Sequence, residues 1–94
     1  MSTIIGYVQG LPGLNAGQKN SLIAKLNAAS DAVGRGDTTA ANNQLRAFLN
    51  ELQADVKTNK VSQTAATILT ADVHAIQGAL GTYNRFLEWW PLEA

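Results

Sequence analysis

The sequence predicts an all-α, up-down antiparallel helical bundle, with one short N-terminal helix and three longer ones. Two observations carry that prediction. Apolar residues recur in steps of four and three along three long stretches, which keeps them on one face of a helix. Between the stretches stand capping and turn residues: Asn15, then Gly34-Arg35-Gly36-Asp37, then Asn59 to Ser62. No stretch shows the period-two alternation of a half-buried strand. A chain of 94 residues has room for one core, so residues 1–94 read as a single helical domain.

The first helix is expected over Thr3 to Gly10, with Ser2 or Thr3 as its cap and Ile4, Ile5, Tyr7 and Val8 as its apolar residues. Leu11-Pro12-Gly13 ends it, because proline cannot continue the ladder and restricts the residue before it. Asn15-Ala16-Gly17-Gln18 has the spacing of a capping box and opens the second helix. The stripe there is Leu22, Leu26, Ala29 and Val33, with Ile23 beside it. Near Arg35 the helix meets Gly34 and Gly36, both able to take the left-handed conformation that closes a helix.

Asp37 caps the third helix, whose stripe is Ala41, Leu45, Phe48, Leu52 and Val56, widened by Leu49. That helix stops at Thr58-Asn59-Lys60, with Asn59 the residue suited to positive φ. Ser62 caps the fourth helix. Leu69, Val73, Ile76 and Leu80 form its stripe, and Tyr83, Leu87 and Trp90 extend the same spacing. Taken at face value this helix runs from Gln63 to Trp90. Gly78 and Gly81 each disfavour helix by about 1 kcal/mol relative to alanine and mark a place for a kink. The predicted core is Ile4, Tyr7, Leu14, Leu22, Leu26, Ala29, Val33, Leu45, Phe48, Leu49, Leu52, Val56, Leu69, Val73, Ile76 and Leu80.

Charge narrows the function. Formal net charge is zero and 15% of residues are charged, against an average near 25%. A nucleic-acid binder would show a basic stripe, and a polybasic membrane-surface helix a lysine-rich face. Cysteine is absent, which removes disulfides and thiolate chemistry. No apolar run approaches the roughly 18 residues that span a bilayer.

Catalytic constellations are equally scarce. His74 is the single histidine, so a Ser-His-Asp arrangement has little to draw on, and His74 reads as a surface residue. Asp72 lies two residues away, on a different helix face, and cannot chelate with it. The carboxylates Asp31, Asp37, Glu51, Asp55, Asp72, Glu88 and Glu93 read as solvated faces, with Glu51 and Asp55 in mild i, i+4 repulsion. Arg35-Gly36-Asp37 matches an adhesive tripeptide, yet a helix-to-helix turn accounts for it fully. No glycine pair forms a phosphate loop. Catalytic, cofactor-binding and metal-ligating residues are therefore not expected, and no cofactor is implied.

The C-terminal stretch stands out. Tyr83, Phe86, Trp89 and Trp90 are four of the six aromatic residues. Tyr83, Leu87 and Trp90 continue the core stripe and are expected to cover the open end of the bundle. Phe86 and Trp89 fall on an adjoining face that so small a bundle does not easily bury. Tyr83, Phe86, Trp89, Trp90 and Leu92 are the candidate partner-binding residues, within a projecting segment 83–94. The partner would be a neighbouring domain or a second copy, making a homo-oligomer. Two alternatives stand beside this reading. One is a small-molecule-binding or enzymatic bundle. The other is a scaffold carrying a helical peptide ligand, since Phe86 and Trp90 have the i, i+4 spacing of groove anchors.

The central pattern also carries a resemblance. Leu22-Ile23-Ala24-Lys25-Leu26-Asn27-Ala28-Ala29 is followed by Gly36, Ala40-Ala41 and Leu45-Arg46-Ala47-Phe48-Leu49. Val61-Ser62-Gln63-Thr64-Ala65 and Leu69 come after them. This resembles the small helical C-terminal modules of the FIMAH type in secreted bacterial proteins, over about Leu14 to Leu80. Many such modules have glycine where this chain has Asn59. The resemblance implies a non-catalytic accessory domain of a larger, extracellular bacterial protein. The aromatic segment lies outside the pattern.

Overall fold

A computed structural model describes the backbone from Ser2 to Trp89 and the side chains through Leu80. Four helices follow in order: α1 (Ser2–Gln9), α2 (Ala16–Gly34), α3 (Thr38–Lys57) and α4 (Gln63–Trp89). Sequential helices pack on one another, α1 on α2, α2 on α3 and α3 on α4. The connections are short, so the three long helices alternate in direction.

The caps of the three long helices stand where the sequence puts them. Asn15 and Gln18 form the reciprocal capping box: the Gln18 amide donates to Asn15 Oδ1 at 2.8 Å, and the Asn15 amide to Gln18 Oε1 at 3.0 Å. The Ala40 amide donates to Asp37 Oδ1 at 3.0 Å, and the Ala65 amide to Ser62 Oγ at 3.1 Å.

The stops of α2 and α3 are Schellman motifs. At the end of α2, the Gly36 amide donates to the Val33 carbonyl and the Asp37 amide to the Ala32 carbonyl, at 2.9 and 2.8 Å. After α3, Asn59 donates to Val56 and Lys60 to Asp55, at 3.0 and 2.8 Å. Gly36 and Asn59 hold the required positive φ, 77° and 62°. Asp37 thus closes one helix with its amide and opens the next with its side chain.

The core is the joined inner stripes. Leu22, Leu26, Leu45, Phe48, Leu52, Leu69, Val73 and Val8 are fully buried. Several expectations need correction. Ser2 and Thr3 lie inside α1 rather than capping it, and Gly10 falls outside. Tyr7 is 37% exposed, because Ile4 and Val8, one turn apart, are the residues α1 turns inward. Val33 is 41% exposed while Ala32 is buried. The tight turn at Arg35–Asp37 draws the last turn of α2 toward α3, and Ala32 faces that side. Leu49, Val56 and Ile76 are partly buried at the edge of the core. Leu11 and Val61, in the two connecting turns, are buried although neither belongs to a helical stripe.

Helix α4 is unbroken through Gly78 and Gly81, so the expected kink does not end it. Leu80 is the last described buried residue. The side chains of Tyr83, Phe86, Leu87 and Trp89, and all of Trp90 and Leu92, lie outside the described residues.

Candidate functional site

Polar chemistry gathers at the α2–α3 seam. Ser21 Oγ donates to Glu51 Oε1 at 2.6 Å, and Lys25 Nζ donates to the same oxygen at 2.8 Å and to Ser21 Oγ at 3.1 Å. This corrects the reading of Glu51 as a solvated face. The pair is partly exposed, so its worth is below about 1 kcal/mol. It fixes the register of α2 on α3 more than it stabilises them.

Asp55, one turn further along α3, is not on a solvated face either: it is buried, at 8% exposure. The reason is visible in the spacing. Ala41, Leu45, Phe48 and Leu52 step by four, three and four, and the next step of three lands on Asp55. Its Oδ2, like Glu51 Oε2, is buried without a hydrogen-bond partner. Burial pushes the Asp55 carboxyl above its ordinary range, the Glu51 charge adds to this, and Lys60 opposes it.

The consequence for stability has a definite sign. A carboxyl that holds its proton more tightly in the folded chain destabilises the fold once it ionises. That penalty is absent well below the unfolded value of 3.8, grows above it as the unfolded chain ionises first, and is complete above the raised folded value. Asp55→Asn is expected to stabilise the domain at neutral pH, by on the order of 1 kcal/mol. The advantage should vanish at about pH 3, where wild-type Asp55 is itself neutral. Urea melts at both pH values test this, and a less stable variant at neutral pH would refute it.

Two further surfaces border α4. Between α3 and α4 runs an open groove of about 620 Å³, floored by Leu52, Val56 and Ala66, with Lys57, Thr70 and His74 along its rim. A second hollow of about 530 Å³ meets it at Val56 and Gln63 and reaches Pro12 and Lys60. On the other flank, Val33, Gly36 and Thr38 face Ala79 and Leu80 across a cleft of about 370 Å³. That cleft brings Leu80 level with the α2–α3 turn.

The sequence-predicted chemistry is dispersed. His74 is exposed on the groove, and Asp72 is exposed on a different face of the same helix. Among the described residues, no group of three or more histidines and carboxylates is placed to hold a metal ion. No helix among them is long and apolar enough to cross a membrane. Arg35-Gly36-Asp37 is the α2–α3 turn itself, with Asp37 engaged as a cap.

These features define a small all-α module whose polar groups serve its own caps and seams. The family model of the FIMAH domain matches residues 13–78, and the chain belongs to that family. FIMAH domains are structural accessory modules of larger proteins, not known as catalytic. Comparisons with curated proteins and with solved structures give no match.

Proposed function

We propose that this domain is an interaction module whose C-terminal aromatic segment docks a neighbouring domain or a second copy of the chain. The observation that carries this reading is the continuation of α4 beyond the bundle. Leu80 is level with the α2–α3 turn, yet the helix runs nine residues further, 81 to 89, or about 13 Å. Helices α2 and α3 have 19 and 20 residues, whereas α4 has 27. The radius of gyration, 14.8 Å, exceeds the roughly 12 Å of a compact domain this long. Four of the six aromatic residues fall at this end, outside the family match at 13–78. Phe86, Trp89, Trp90, Tyr83 and Leu92 are the proposed contact residues.

The parent protein is further proposed to act outside a bacterial cell, on the family resemblance. Recovery of the parent only from the cytoplasmic fraction would refute that. Truncation after Thr82 tests the docking role. The shortened chain is expected to keep its helical circular dichroism and cooperative melt while losing its partner. Both tryptophans lie in the segment, so the intact free domain should show water-exposed tryptophan emission. Unfolding on truncation, or buried-type emission, would assign the segment to the core instead.

A further inference from the structure

We propose that the aromatic end of α4 seats in the α3–α4 groove of a second copy of this chain. This rests on the docking reading above and names the occupant. The groove has an apolar floor of Leu52, Val56 and Ala66, with the cation Lys57 on its rim and Lys60 in the adjoining hollow. Among the described residues, no carboxylate lines either space. The segment is complementary in composition: Phe86, Trp89 and Trp90 stand in sequence beside Glu88 and Glu93, which outnumber Arg85 and leave the segment net negative. A volume of about 620 Å³ is in the range of sites that enclose ring-sized groups.

Within one chain the described helix carries Phe86 and Trp89 away from this groove: α4 is continuous to Trp89, which is fifteen residues from His74 along it, about 22 Å. A second copy presents the same segment from outside. Reciprocal exchange closes a dimer, whereas one-way addition builds an open chain.

Two full-length variants separate the parts. Trp89→Asp removes the anchor and leaves the groove. Ala71→Arg plugs the groove at an exposed lining position and leaves the anchor. Circular dichroism melts confirm that each is folded. By sedimentation equilibrium the wild-type chain should self-associate, more weakly at high salt. Each variant alone should lose at least about 30-fold in affinity, as a buried aromatic anchor does. Mixing the two should restore a one-to-one complex, because one brings the groove and the other the anchor.

Three outcomes overturn the proposal. If Ala71→Arg associates as wild type does while Trp89→Asp does not, the segment docks but this groove is not its seat. A wild-type chain that stays monomeric at about 100 µM removes the second copy as occupant and leaves a neighbouring domain. Failure of the mixture to recover association refutes the exchange itself. Unfolding of Trp89→Asp would instead defeat the docking reading on which the proposal rests.

Discussion

Phe48→Ala is expected to destabilise the domain by about 3–5 kcal/mol, the cost of an emptied aromatic site in a packed core. Phe48 is the largest of the fully buried side chains. It stands in the middle of the α3 stripe, between Leu45 and Leu52, and α3 is the helix that packs on both α2 and α4. The cavity would therefore open on the inward face of the helix that packs against both long neighbours. A domain of this length has a total stability of roughly 5–14 kcal/mol, so the loss is a large fraction of the whole. Thermal melts should show a drop of at least about 12 °C. A loss below about 1 kcal/mol in urea would mean that the inward face of α3 is misassigned.

Much of this fold is legible in the chain because its local signals agree with one another. Asn15 with Gln18, Asp37 and Ser62 each sit one residue before a helix, and each side chain does the capping its type allows. Gly36 and Asn59 take positive φ because the Schellman stops need it. Spacing fails where tertiary packing decides. Val33 satisfies the α2 periodicity, but the turn that follows selects Ala32. Asp55 satisfies the α3 periodicity and is buried, yet its charge argues for solvent, and the charge was the misleading cue. The Ser21–Lys25–Glu51 seam joins residues thirty positions apart, 21 and 51, and helix spacing within one element does not reveal it. The groove beside α4 is harder still. It is lined by residues of both α3 and α4, and no single segment encodes that.

Gly13 illustrates the same limit, and Gly13→Ala is the second large effect expected. In sequence Gly13 reads as the end of a turn begun by Pro12. In space a methyl group there would lie 2.0 Å from the Lys60 carbonyl oxygen and 2.9 Å from its carbon. The clash is with backbone, so no side-chain rotation relieves it. Nor is Lys60 free to retreat: its amide is held at 2.8 Å by the Asp55 carbonyl in the stop of α3. One of two turns must move, either the one carrying buried Leu11 and Leu14 or the one carrying buried Val61. Overpacking of this kind costs roughly 2–3 kcal/mol. Gly6→Ala supplies the contrast, since a methyl group at Gly6, inside α1, meets nothing within 4 Å. That substitution should stabilise by about 0.5–1 kcal/mol through helix propensity and a less flexible unfolded chain. Opposite signs for one chemical change, read from paired urea melts, would establish that the α1–α2 and α3–α4 turns are pressed together. A neutral Gly13→Ala would separate them.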